Sequence, residues 1–120
     1  MNTKHVPVSQ WRTTLDELSR TYEGMPVSLE VVGGDVGAEE EVCDQPLRGI
    51  TFDSTGVNVM IEKRGGIHLD HRVPRPQILR VVETDEGAVL AVEIEADKGM
   101  YSLVSFRSPI RPEVLDRPAE

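Results

Sequence analysis

The chain has 120 residues, a formal net charge of −8 and a hydrophobic fraction of 38%, which suffices for one small core and excludes a second one. The acidic excess would repel a phosphate backbone, so the composition opposes nucleic-acid binding. The single cysteine cannot form a disulfide within the chain, and no apolar run approaches the length of a membrane span. These features predict one domain over residues 1–120, located in the cytoplasm and away from membranes.

The N-terminal part predicts an extended lead over residues 1–8 and one helix over residues 9–24. Four large apolar side chains recur there at helical spacing: Trp11, Leu15, Leu18 and Tyr22. They form one stripe that must be buried against another element. Ser9 is the expected N-cap, because its hydroxyl can accept a hydrogen bond from a first-turn amide, and Gly24 is the expected C-terminal glycine.

The region from residue 25 to residue 107 predicts an antiparallel β-domain. It contains seven short apolar runs separated by turn signals: 27–31, 47–53, 57–62, 67–73, 78–83, 90–95 and 100–107. Residues 33–46 hold three glycines and five acidic residues and predict a long acidic loop. Short connections join antiparallel neighbours, so the second to seventh runs are expected to form a meander. Pro74 and Pro76 predict an extended corner within it.

The predicted fold is mainly β, of the α+β class, with the N-terminal helix packed on a strongly bent sheet of six or seven antiparallel strands. Such a sheet protects its edges by closing into a small barrel or by folding into a sandwich, and the pattern leaves both open. The proline-rich tail, residues 108–120, either wraps the surface through Ile110, Val114 and Leu115 or frays.

Charge is distributed unevenly along the β-domain. Residues 63–80 carry five cations against the single acid Asp70: Lys63, Arg64, Arg72, Arg75 and Arg80. The candidate binding surface taken from this region is His68, His71, Arg72, Arg75 and Arg80. The alternative is a set of ordinary surface arginines paired with nearby carboxylates. The acidic stretch is either a solvated face or a patch for a basic partner.

The two neighbouring histidines, His68 and His71, are candidate metal ligands. On a strand, His68 and Asp70 share one face, whereas His71 points to the other face with Leu69. A structural zinc site needs four ligands and a catalytic one usually three, and no second cluster with ligand spacing occurs. The sequence therefore predicts no metal, no cofactor and no catalytic set, which favours a non-enzymatic protein.

Several segments together resemble a known family. They are the tryptophan-bearing helix, the acidic glycine-rich stretch, Leu47-Arg48-Gly49-Ile50, His68-Leu69-Asp70-His71 followed by Pro74 and Pro76, and Phe106-Arg107-Ser108-Pro109. The resemblance covers nearly the whole chain and is to small bacterial proteins classed as a domain of unknown function. It implies a bacterial single-domain protein and transfers no activity, cofactor or site residue.

Three functions follow from these features as hypotheses. The leading one is a protein-binding or adaptor module that uses the surface around the two histidines and the proline corner. The alternative is a small-molecule or anion site, which could depend on a metal, around His68, His71 and Arg72. The third is self-association, in which opposite charges or an open sheet edge join two copies.

Overall fold

A computed structural model describes residues 1–33 and 37–107, with side chains described for 1–33 and 41–107. Within these residues the chain forms one α-helix, α1 (Trp11–Tyr22), preceded by a 3₁₀ turn over Val8–Gln10. It also forms eight strands: β1 (Asn2–His5), β2 (Pro26–Gly33), β3 (Gly37–Asp53), β4 (Gly56–Lys63), β5 (Ile67–Pro74), β6 (Pro76–Glu83), β7 (Val89–Ala96) and β8 (Tyr101–Phe106).

The strands form one antiparallel sheet in the order β1-β6-β7-β8-β2-β3-β4-β5. The predicted class, a mainly antiparallel sheet with an N-terminal helix, is therefore confirmed. Within the described residues the sheet is not closed, and β1 and β5 are its two terminal strands. The lead predicted as extended supplies β1, which pairs with β6.

The predicted single meander is wrong in its strand order. Strands β3, β4 and β5 form one meander and β6, β7 and β8 form another, while β2 lies between β8 and β3 and joins them. The two meanders are connected in sequence at Arg75, the corner residue between Pro74 and Pro76, but β5 and β6 are not paired. The rigid proline corner redirects the chain instead of closing a hairpin.

The predicted acidic loop over residues 33–46 is also wrong for most of its length. Gly33 ends β2, and the seventeen-residue strand β3 begins at Gly37. The first half of β3 pairs with β2 and the second half with β4, with a bulge between Leu47 and Gly49. Val42 is buried whereas Glu41 and Cys43, on either side of it, are exposed, so the acidic stretch is a strand with one solvated face. Residues 34–36 and the tail 108–120 lie outside the described residues.

Helix α1 buries the predicted stripe of Trp11, Leu15, Leu18 and Tyr22. The predicted cap is wrong, because Ser9 lies in the 3₁₀ turn and Gln10 occupies the N-cap without a side-chain bond. Gly24 adopts φ +87°, as a C-terminal glycine does. The stripe joins the buried faces of both halves of the sheet in one hydrophobic cluster.

A side chain rather than a strand connects the helix to the sheet. Ser19 Oγ accepts the backbone N–H of Ile50 at 2.8 Å, and it donates its proton to the carbonyl of Ile50 (2.8 Å) or of Leu15 (2.7 Å). Gly49 lies beside this contact, and a Cβ there would meet Ser19 Oγ at 3.6 Å and the Met60 methyl carbon at 3.4 Å, which are ordinary van der Waals separations. The hydroxyl thus satisfies backbone groups that another strand would otherwise pair.

We expect Ser19→Ala to lower the free energy of unfolding by about 1–3 kcal/mol, because the N–H of Ile50 loses its partner in a half-buried position. Urea denaturation measures the effect. Thr21→Ala is the matched control, since Thr21 also donates to a carbonyl one turn back but is exposed; its effect should stay within about 0.5 kcal/mol. Equal losses in the two variants would show that Ser19 does not anchor the helix.

Candidate functional site

Strand β5 presents two different faces. His68, Asp70 and Arg72 are exposed, whereas Leu69 and His71 are half-buried. The predicted division, with His68 and Asp70 on one face and His71 with Leu69 on the other, is therefore confirmed. The two histidines consequently do not converge on a shared ligand.

His71 connects β5 to the opposite side of the rolled sheet. Its Nε2 lies 3.0 Å from the Oγ of Ser102 on β8, a side chain that is only 3% exposed. Burial lowers the pKa of His71 below its usual 6.5, and the negative charge of Glu41 on β3 opposes that effect. The imidazole is therefore neutral at pH 7, and the contact joins β5 to β8 through side chains.

A cleft of about 190 Å³ opens beside this contact. His71 and Ser102 lie in its wall, together with the end of β5, the proline corner and the hairpin between β7 and β8. Arg75 at the corner and Lys98 in the hairpin flank the opening. Asp97 N–H donates to the carbonyl of Arg75 at 3.2 Å, which fastens the corner to the hairpin.

Arg72 braces the turn between β3 and β4. Its guanidinium lies 3.3 Å from both carboxylate oxygens of Asp53, donates to Asn58 at 3.0 Å and contacts Thr55 Oγ1. Asp53 also accepts the backbone N–H groups of Thr55 and Gly56. Arg72, followed by these turn groups, holds the pKa of Asp53 well below its usual value, so the carboxylate stays charged and the turn stays fixed.

Arg80 belongs to a different part of the sheet. It lies on β6 and pairs with Glu93 at 3.4 Å and Glu95 at 3.2 Å, both on β7. Burial and a hydrogen bond with Glu93 raise the pKa of the neighbouring Tyr101 to about 12. Arg80 is thus engaged in a local network on the β6-β7-β8 surface.

The structure therefore divides the predicted candidate set. His71, Arg72 and Arg75 line the cleft, His68 lies on the exposed face of the same strand, and Arg80 lies elsewhere. Sequence reasoning missed Ser102 and Lys98, which come from the β7–β8 hairpin. A serine in a strand and a lysine in a turn carry no signal of their own, and only the rolling of the sheet brings them to β5.

Two further findings concern the described part of the chain. No three His, Cys, Asp or Glu side chains there are grouped so that they could hold a metal ion. None of its helices combines the length and apolarity needed to cross a membrane.

The fold and the cleft define a small α+β protein in which an open, rolled antiparallel sheet wraps one helix. Residues 2–115 match the sequence pattern of a family described as "Family of unknown function (DUF5335)", and the chain belongs to that family. It is 30% identical over 110 residues to an "Uncharacterized protein" of Aquifex aeolicus (strain VF5), covering 92% of this chain and 96% of the relative. No solved structure matches the chain.

The buried position of His71 predicts a pH effect on stability. In the unfolded chain His71 takes up a proton near pH 6.5, whereas the folded protein accepts it only at lower pH. The unfolded state therefore binds more protons below pH 6.5, and the free energy of unfolding decreases as the pH falls. Urea denaturation between pH 7.5 and 5.5 should give a shallower decrease for His71→Gln than for the wild type.

His68→Gln is the matched control, because it removes an exposed imidazole from the other face of the same strand. The difference between the two variants reports the burial of His71. Identical pH profiles for the wild type and His71→Gln would contradict the assignment of His71 as a half-buried neutral group.

Proposed function

We propose that this protein is a non-enzymatic protein-binding module and that a partner segment binds along the exposed edge of β5. The observation that carries the proposal is the position of this strand. Among the described residues β5 is eight residues long and pairs with β4 on one side only. The unpaired backbone groups of such an edge form a template to which a strand of another chain can add.

Side chains along β5 support the same assignment. Ile67 is 62% exposed, and His68, Asp70 and Arg72 are exposed as well. A large apolar side chain at an edge is a natural anchor for a partner, because burying it on binding is favourable. The other terminal strand, β1, has four residues and offers a shorter template.

We name the β5 edge surface as Ile67, His68, Arg72 and Arg75 with the adjacent cleft. It presents two arginines in a chain whose net charge is −8, and these favour an acidic partner segment. The ion pair of Arg75 with Asp97 is 3.6 Å long, and both side chains are well exposed. An exposed pair of this kind contributes little to stability and leaves Arg75 open to a competing carboxylate.

A small-molecule or anion site at the same place is the second candidate function. The observation in its favour is the cleft, in which the buried hydroxyl of Ser102 lies beside His71 and which Arg72 and Arg75 also line. Self-association is the form of the first proposal in which the partner is a second copy, with β5 of one copy added to β5 of another.

Within the same proposal we assign the protein to the cytoplasm, in keeping with its single cysteine.

Ile67→Lys tests the edge directly. We expect a partner that co-purifies with the wild type to bind this variant at least about tenfold more weakly, a loss of about 1.4 kcal/mol, while the urea midpoint stays unchanged. Val8→Lys is the matched control, since Val8 is 63% exposed but lies before α1. Affinity is measured with the recovered partner after its purification, and sedimentation of the wild type alone reports self-association.

Equal binding of the partner by the wild type, Ile67→Lys and Val8→Lys would overturn the assignment to β5. The absence of any saturable protein partner, together with a monomer at all concentrations, would overturn the binding-module proposal itself. Arg72 is unsuitable as the primary variant, because its replacement also releases the turn at Asp53.

A further inference from the structure

Two basic residues beside the cleft adopt a backbone conformation that residues with a Cβ rarely occupy. Arg75 has φ +48° and Lys98 has φ +65°, and Asp44 is the other such non-glycine residue in the described chain. The left-handed conformation costs a residue other than glycine about 1 kcal/mol or more, and such strained residues are concentrated at functional sites. Glycine would fit both positions without strain, as Gly99 does next to Lys98 at φ +77°.

The backbone around the cleft holds both residues in place. The carbonyl of Arg75 accepts the N–H of Asp97 at 3.2 Å, and its N–H points to the carbonyl of Thr55 at 3.4 Å. Lys98 N–H donates to the Asp97 carboxylate at 3.0 Å. These bonds hold the backbones of Arg75 and Lys98 in place, so both basic side chains extend from fixed positions beside the cleft.

The charge of the cleft favours an anion. Its lining includes three basic residues, Arg72, Arg75 and Lys98, and one carboxylate, Asp97. Because Arg72 is paired with Asp53, the other groups give a formal charge of +1 with His71 neutral. The whole chain has a formal net charge of −8. The cleft thus concentrates positive charge on an otherwise acidic molecule, which attracts anions to this position.

The size of the cleft limits the anion to a small group. Sites for ordinary small-molecule ligands measure about 300–1,000 Å³, whereas this cleft measures about 190 Å³. A carboxylate on a short side chain is of suitable size, and a nucleotide or a folded domain is not. The polar group inside the cleft, the Ser102 hydroxyl, is 3% exposed and bonded to His71, so a donor lies beyond the charged rim.

We propose that the cleft binds a carboxylate group, supplied by an acidic side chain of the segment that lies along β5. This proposal rests on the proposed function and adds the chemistry of its partner. The planar guanidinium of Arg75 matches the two oxygens of a carboxylate, and the Lys98 ammonium adds a second charge. When His71 carries its proton on Nε2 and donates to Ser102 Oγ, the Ser102 proton is available to the anion.

The carboxylate of Asp97 competes with an incoming anion for the guanidinium of Arg75. Its carboxylate lies 3.6 Å from the Nε of Arg75, and the two side chains are 52% and 69% exposed. That separation is too long for a hydrogen bond, so the guanidinium keeps its donors for an incoming group. An acidic side chain of a partner can therefore bind without breaking a buried ion pair.

The test uses the full ¹⁵N-labelled chain at pH 7.5 with sodium acetate as the probe and acetamide as its neutral isostere. We expect acetate to shift the backbone amide signals of residues 71–75 and 97–102 in a saturable manner, with a millimolar dissociation constant. Acetamide should leave those signals unchanged. Arg75→Gly and Lys98→Gly should each weaken acetate binding about tenfold and should raise the urea midpoint, because glycine relieves the strain.

Arg48→Gln is the matched control, since Arg48 is exposed and forms an ion pair of the same 3.6 Å length with Glu62. It should bind acetate as the wild type does. Non-saturable shifts, equal shifts with acetamide, or unchanged binding by both glycine variants would overturn the proposal. Lower urea midpoints for both glycine variants would overturn it as well, because the basic residues would then serve folding.

The outcomes separate this proposal from the proposed function. Acetate binding that depends on Arg75 and Lys98, without any protein partner, supports the carboxylate site and overturns the partner-binding module. A partner that depends on Ile67 but binds Arg75→Gly and Lys98→Gly normally supports the β5 edge and overturns the carboxylate site.

Discussion

The whole fold depends on how α1 fills the interior of a sheet that does not close. Its apolar stripe supplies the centre of the core, and the hydroxyl of Ser19 takes the place of a neighbouring strand beside Ile50. Tyr22 acts similarly at the other end, where its hydroxyl accepts the N–H of Val89 at 2.9 Å. Without these contacts the inner face of the sheet and several backbone groups would be left without partners.

This arrangement explains why the free edge of β5 and the cleft lie on one side of the molecule. The helix occupies the space that further strands would fill in a closed barrel, so the terminal strand β5 rolls over towards β8 without forming a ladder with it. The seam that results is held by His71 and Ser102 and by the backbone bond between Arg75 and Asp97. An edge and a cleft therefore occur together as consequences of one incomplete closure, and Arg75 and Lys98 lie beside them.

The strained backbones of Arg75 and Lys98 carry a separate implication. A chain optimised for stability alone favours glycine at such positions, and this chain uses glycine at other left-handed positions such as Gly24 and Gly87. Keeping long basic side chains at both points costs stability and concentrates charge at one opening. Stability given up at a site is a common sign of function.

Local signals in the sequence were sufficient to identify the helix and most of the strands. Helical spacing identified the buried stripe of α1, alternation identified most strands, and the pattern around His68 and His71 assigned them to opposite faces, because each of these signals is local. Only the folded structure shows the strand order, the strand conformation of the acidic stretch around Val42, and the contact between Ser102 and His71. Pairing between distant strands depends on how the sheet rolls around the helix, and a residue's own neighbours in sequence do not encode that geometry.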